Sequence, residues 1–235
     1  MLHLQVDCYG SRERELRDDM QKISLYDMDR TITVHGTYTP FLFHLVFARA
    51  PWRLIFLPLL PFGFIAYGLK LISRGQLKTL NQRMLMGSGP KLTALQPHIE
   101  RFAEKVLRSN RHQKALDQIE ADRAAGRTLV LVTASYELYA EAIARRLGFD
   151  HLIGTLLEVE GEGRVRRHII GENCYDDVKI GRIEDLFAQQ GWQRAESHVR
   201  AYSDHVSDRA MLAFADEAIA TTPTPKLRHM AKQRG

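Results

Sequence analysis

Residues 22–33 read KISLYDMDRTIT: an apolar run of Ile23, Leu25 and Tyr26 stops at two acids, Asp27 and Asp29, with Thr31 two residues further on. Like charges this close raise each other's pKa unless a cation separates them or one acid holds a proton. The spacing therefore asks for a metal, a proton, or both. A second apolar run, RTLVLVT (127–133), ends in Thr133, followed by Ala134 and Ser135. A third, HVRAYSD (198–204), ends in Ser203 and Asp204, with Asp208 one helical turn later. In an open parallel sheet, ligands collect beyond the carboxyl ends of the strands. Four carboxylates from two strands at one rim form a hard-oxygen set. That set suits Mg²⁺, which takes a few carboxylates plus water and substrate phosphate.

These residues need strands and helices to position them. Residues 22–27 read as the first strand, and 127–133 as a continuous apolar strand covered on both faces. Residues 37–50 suit a helix starting after Pro40, and 75–87 and 91–108 read as amphipathic helices. Residues 111–126 and 135–148 read as helices closed by glycine. Residues 152–171 read as a hairpin turning at Gly161 and Gly163, 176–191 as a helix and 198–204 as a strand. A helix then runs to about Phe214, and 217–223 reads as a last strand. Strand–helix alternation from 127 onward predicts an α/β fold, a doubly wound, Rossmann-like parallel sheet with a β-hairpin flap. The mostly helical residues between the first two strands are too many for a simple crossover. They read as an inserted cap, 36–119, with 1–35 and 120–235 forming the catalytic core.

The 235 residues allow one large domain or a core plus an insertion. A net charge of +5 favours anionic partners without choosing among phosphates, nucleic acid and an anionic membrane. No basic-aromatic pattern of a nucleic-acid binder is present, so nucleic acid is not expected as a partner. Cys8 and Cys174 are the two cysteines. With no CxxC pair, they indicate neither a disulfide framework nor a zinc site, and fit a reducing cytosol. The polar lead-in SRERELRDD is wrong for a signal peptide.

YDMDRT, LVTAS, Lys179 on the helix 176–191 and SDHVSD, in this order, resemble the four motifs of the haloacid dehalogenase superfamily. TASYELYAEAIARRLGFD and GENCYDDVKIGRIEDL are most similar to its subfamily IB, which includes phosphoserine phosphatase. The resemblance covers roughly residues 22–223. It implies an Mg²⁺-dependent phosphomonoesterase working through an aspartyl-phosphate. Asp27 matches the nucleophile, and Asp29 the acid that protonates the leaving alcohol and then activates water. Thr133, with Ala134, matches the phosphate-binding position, placed where the helix 135–148 begins and free N–H groups attract an anion. Lys179 matches the lysine that pairs with the nucleophile and the phosphoryl oxygens. Asp204 matches a metal ligand beside Asp27 and Asp29, and Asp208 a supporting acid for the metal or its waters. Arg30 stands where many relatives have glycine. Ala134–Ser135 replaces a Gly-Gly that in phosphoserine phosphatases helps admit an amino-acid substrate. Taken singly, Thr133 reads as an ordinary strand residue, Lys179 as a solvated helix residue, and the acids as turn or cap residues. The Arg164–Arg167 cluster reads as a solvated hairpin face, with contact to an anionic substrate as the alternative. His205 reads as structural, with substrate contact as the alternative.

Between Arg53 and Lys70 lie 16 uncharged residues, LIFLPLLPFGFIAYGL (54–69). As a straight helix they would reach about 24 Å, short of the roughly 30 Å hydrocarbon thickness. Pro58, Pro61 and Gly63 argue against a straight helix. Arg49 and Arg53 on one flank and Lys70 and Arg74 on the other suit a kinked segment with both ends on one anionic leaflet. Trp52 and Tyr67 suit the interface, and a buried cap helix or dimer contact is the bland alternative. Phosphatases of the same superfamily that act on phosphatidylglycerophosphate carry a similar apolar stretch in their cap. The expectation is a phosphorylated lipid substrate, met at the inner face of the cytoplasmic membrane. A small soluble phosphomonoester such as phosphoserine is the alternative, and a non-catalytic membrane-associated interaction protein the third.

Overall fold

The computed structural model describes residues 20–87 and 89–234. The polar lead-in and Cys8 lie outside the described residues. In chain order, strand β1 (Gln21–Tyr26) is followed by helix α1 (Tyr38–Arg49), a 3-10 stretch (Pro51–Leu59), α2 (Leu60–Gly68), α3 (Arg74–Leu85), α4 (Leu92–Ser109) and α5 (Gln113–Ala124). Then come β2 (Thr128–Tyr136), α6 (Glu137–Arg146), β3 (His151–Thr155), β4 (Leu157–Glu160), β5 (Arg164–Ile169) and α7 (Asp177–Gln190). The chain closes with β6 (Ser197–Ser203), α8 (Arg209–Phe214), β7 (Glu217–Ala220) and α9 (Pro225–Arg234).

Five strands pair in parallel in the order β3-β2-β1-β6-β7. Alternate residues of the central strands feed two cores, as strands covered on both faces require. Ile23, Leu25, Val130, Val132 and Val199 pack on one side with Ile183, Phe187 and Met211 from α7 and α8. Tyr26, Leu129, Leu131 and Tyr202 pack on the other with α1, α4, α5 and α6. Phe41, Phe102 and Tyr139 bring α1, α4 and α6 together there, with ring centroids 4.3–5.6 Å apart. The helices between β1 and β2 thus share the sheet's own core.

β1 and β6 are adjacent and in register, with Tyr26 opposite Tyr202. The two rings stack at 4.2 Å, and both hydroxyls donate to the buried carboxylate of Asp122, at 2.8 and 3.0 Å. This clamp sets the strand ends, and so Asp27 and Asp204, beside one another.

Two sequence expectations need correction. β2 continues through Ala134, Ser135 and Tyr136, so the next helix starts at Glu137 and not at 135. Tyr136 is buried and pairs with Thr155, which keeps the chain extended. The stretch 152–171 is not one hairpin. His151–Thr155 is a fifth strand of the main sheet, and only β4 and β5 form the antiparallel flap. Only Leu156 separates the two strands, so no turn residues mark the boundary. Gly154 allows the fifth strand to sit close: its N–H donates to Glu137 Oε1 at 2.7 Å, and a Cβ there would lie 2.7 Å from the Glu137 side chain.

The apolar stretch is bent, as its prolines require. Pro58 lies within the 3-10 turns, and Pro61 falls at the second position of α2, where its missing N–H has no helical partner to lose. The inner side meets α3 at Gly63, where a Cβ would come within 3.2 Å of Leu77 and Leu80. The outer side faces solvent, with Ile55, Phe62, Ile65 and Leu69 each more than half exposed. Pro51–Gly68 is long and apolar enough to cross a membrane by length and composition, and 6% of it is buried. Of the flanking cations, Arg53 turns inward and donates to the Met84 carbonyl at 3.0 Å, capping the C-terminus of α3.

Candidate active site

Asp27, Asp29, Ala134, Lys179, Asp204 and Asp208 line a single cavity of about 390 Å³ at the carboxyl edge of the sheet. The two acids of the opening motif part in direction. Asp27 follows β1 directly and its N–H still bonds the Tyr202 carbonyl, at 3.0 Å. Its Oδ1 accepts from Lys179 Nζ at 2.6 Å, and its Oδ2 has a longer contact with Thr31 Oγ1, at 3.3 Å. Asp29 turns toward the insertion. Its Oδ1 accepts from the N–H and hydroxyl of Thr37, at 2.7 and 2.8 Å, and its Oδ2 from Ser135 Oγ at 2.8 Å. Between them Arg30 adopts φ +67, the left-handed conformation that glycine takes at no cost.

Lys179 stands in the first turn of α7, buried between two carboxylates: Asp27 at 2.6 Å and Asp208 at 2.9 Å. Burial works against its charge, but Asp208 and Asp27 outweigh it and hold its pKa above the ordinary lysine range. Burial likewise pushes the Asp27 carboxyl up to about 8 against the pull of Lys179, with Asp208 adding to the push. Asp208 also accepts from Ser203 Oγ at 2.6 Å, so its two oxygens orient the lysine and tie it to the end of β6. Asp204 is buried and its pKa is raised by burial, with Asp208 adding to it while His205 and Arg30 oppose. His205 caps the turn that follows, its Nδ1 accepting from the Ser207 N–H at 3.1 Å.

Thr133 lies beneath the cavity rather than on its wall. It is fully buried, and its hydroxyl accepts from the Ser135 N–H at 3.0 Å. Because the strand runs on to Tyr136, Ala134 lines the cavity in its place, and Ser135 lines the compartment beside it. The Arg164–Arg167 cluster is on the flap, where Arg166 pairs with Glu160 and Arg164 with Glu162.

Among the described residues, no cluster of three or more His, Cys, Asp or Glu side chains converges as a ready-made metal cage. The chemistry of the donors nevertheless fits Mg²⁺. Asp27 and Asp204 are buried hard-oxygen donors from adjacent strands in one cavity, and burial pushes both carboxyls up, a shift that a bound cation would oppose. Mg²⁺ typically uses one or two carboxylates and completes its shell with water and substrate phosphate.

Residues 25–213 match the family of haloacid dehalogenase-like hydrolases. The chain belongs to this family. It is 33% identical over 192 residues to Protein CicA of Caulobacter vibrioides, covering 82% of each chain. It is 34% identical over 137 residues to phosphoserine phosphatase SerB1 of Mycobacterium tuberculosis, covering 58% of this chain and 42% of that protein. A solved structure of a Bordetella pertussis protein of unknown function superposes with a TM-score of 0.82 at 27% identity, over 92% of this chain and 96% of the other. As a haloacid dehalogenase-like hydrolase with phosphatase relatives, the chain is a phosphoric monoester hydrolase.

Two residues that shape these walls escape sequence reasoning. Thr37 is joined to Asp29 by an aperiodic loop, and nothing in its spacing announces that it holds that carboxylate. Lys78 sits in α3 at a position that reads as solvated, yet it is buried, with Nζ donating to the Ala134 carbonyl at 2.6 Å and Asn173 Oδ1 at 2.8 Å.

Proposed function

We propose that the protein is an Mg²⁺-dependent phosphatase that works through an aspartyl-phosphate on a phosphorylated lipid at the inner face of the cytoplasmic membrane. Asp27 Oδ attacks phosphorus, the bond to the leaving oxygen breaks, and Asp29 gives that oxygen a proton. Water then attacks the phosphoryl group on Asp27, Asp29 takes the water's proton, and phosphate leaves with Asp27 restored. Lys179 compensates the charge on the phosphoryl oxygens while Asp208 keeps it in place. Thr37 and Ser135 fix the direction of Asp29. Thr133 and Ala134 shape the floor and rim on which the phosphate rests. Mg²⁺, held by Asp27 and Asp204, would screen the phosphate and favour in-line geometry, while Asp29, expected as a third ligand, has both side-chain oxygens engaged by Thr37 and Ser135 and is kept for the proton.

The observation that carries the lipid reading is continuity. Phe64 and Tyr67, on the exposed apolar α2, also line a compartment that adjoins Asp29. An apolar tail could lie along that face while the phosphate reaches Asp27. Residues 30–99 contain eight Lys and Arg and no Asp or Glu, which suits an anionic bilayer surface. The expected result is faster phosphate release from phosphatidylglycerophosphate in mixed micelles than from phosphoserine. The second reading, a small soluble phosphomonoester, draws on the likeness to SerB1. A reversed preference would favour it.

A further inference from the structure

The reaction cavity continues past Asp29. A second compartment of about 280 Å³ adjoins it, and Asp29, Tyr38, Thr39, Arg74 and Ala134 line both. Since Asp29 is the group that protonates the leaving alcohol in the proposed reaction, this compartment lies on the leaving-group side. Its far wall comes from α2 and α3.

Three polar groups on that wall fall on one stripe of α3, at positions 74, 78 and 81, and among the described residues none forms an ion pair. Lys78 is buried, and the contacts of its ammonium are the Ala134 carbonyl, the Asn173 amide, and the rings of Tyr136 and Tyr38 at 4.4 and 5.2 Å, with the Asp29 carboxylate across the same compartment. Among the described residues no carboxylate forms an ion pair with it. Burial, with Arg74 adding to it and Asp29 opposing, pushes its pKa down to about 7. A buried ammonium in that state is short of counter-charge. Arg74 packs over the Tyr175 ring at 4.0 Å, again without an acidic partner among the described residues. Asn81 is buried to 7% exposure, and among the described residues its Oδ1 has no hydrogen-bond partner, although buried amides are normally satisfied. Among the described residues, two cations without an ion pair and an asparagine with an unpartnered amide oxygen line one compartment, and together they describe half of a binding site.

We propose that this compartment binds a second anionic group of the substrate, a phosphodiester or a carboxylate, joined to the scissile phosphomonoester by a short polar linker. Lys78 and Arg74 hold the anion, and the Asn81 amide hydrogen-bonds the linker. This rests on the phosphatase reading and deepens it: the enzyme selects phosphomonoesters whose leaving group carries a negative charge. A phospholipid with an internal phosphodiester and a small amino-acid phosphate both offer that chemistry. Phe64 and Tyr67 add an apolar wall that suits the first.

The test compares kcat/KM for phosphatidylglycerophosphate, phosphoserine and para-nitrophenyl phosphate, which lacks a second anion. The quantity read is the ratio of each doubly anionic substrate to the aryl phosphate. In Lys78→Met that ratio should fall by about 10- to 100-fold for the preferred substrate, mainly through KM, as expected for losing a charge-assisted contact. Lys78→Arg should recover much of it, and Asn81→Leu should lower it by a smaller factor. Which anionic substrate the wild type prefers identifies the source of the second anion. Equal losses on all three substrates would overturn the proposal, leaving Lys78 as a tie between α3, the end of β2 and the Asn173 loop. Melting curves of each variant separate such a loss from misfolding. Failure of the wild type to hydrolyse any of the three with Mg²⁺ would instead sink the phosphatase reading beneath it.

Discussion

Two buried lysines, both near the rim of the sheet, live in opposite surroundings. Lys179 touches two carboxylates within 3 Å, Asp27 and Asp208, and its charge is held firmly. Lys78 touches a carbonyl, an amide and two rings, and its charge is barely held at neutral pH. The first is balanced from within the protein and belongs to the part that does the chemistry. The second waits for charge from outside and belongs to the part that chooses the substrate. The same division separates the acid-lined rim from the insertion, where no acid occurs between residues 30 and 99.

The sharpest way to break this contrast is at Lys179. Lys179→Met should lower kcat by about 100- to 1,000-fold, the usual cost of removing one charge-stabilising group from a reaction site. It also leaves Asp27 and Asp208 buried together without their cation, so a lower melting temperature is expected alongside the kinetic loss. A variant with near-normal kcat would show that Lys179 is structural.

The insertion carries the next effect. Replacing exposed Phe62 and Ile65 by aspartate should weaken binding to anionic vesicles by about tenfold or more, because each side chain contributes burial energy only if it enters the interface. As both are exposed, stability should change by no more than about 0.5 kcal/mol each. Unchanged co-sedimentation with vesicles would remove the membrane from the account.

Ser135 links the two regions, since it anchors Asp29 from the end of β2. Ser135→Ala should cost about tenfold in kcat by loosening that acid, less than the penalty for displacing it outright. The loss should be largest for substrates with poor leaving groups, which need protonation most. An equal loss on aryl phosphates would argue against Asp29 as the acid.

The smallest effect expected is in pH. Lys78 loses its proton as pH rises through about 7, so its hold on a second anion weakens in that direction. Arg74 and Asp29, the charged neighbours that bear on it, shift the midpoint but not the sign. The preference for doubly anionic substrates over aryl phosphate should therefore decline from slightly acid to slightly alkaline pH. Taking the ratio cancels the titration of Asp27, and Lys78→Arg should flatten the slope. A wild-type ratio that stays flat or rises would contradict the assignment.

How far the sequence could be read follows the same division. Asp27, Lys179, Asp204 and Asp208 were legible because each occupies a set place relative to a strand end or helix start, and such places are marked by apolar runs that stop. The parallel sheet and the flap were legible for the same reason. The third strand was hidden because only Leu156 parts His151–Thr155 from the hairpin, with no turn residues between. The true start of α6 was hidden because Tyr136 prefers the core to the helix. Thr37 and Lys78 were hidden because tertiary contacts alone make them functional: a loop brings one to Asp29, and burial strips the other of its water.

The proposed reaction requires that Asp27 become phosphorylated at this rim. Mass analysis of enzyme quenched during turnover, with an aryl phosphate and Mg²⁺, tests it directly. A phosphoryl adduct on the peptide carrying Asp27, absent along with all turnover in Asp27→Asn, is the predicted result. Undiminished phosphate release by Asp27→Asn would contradict it.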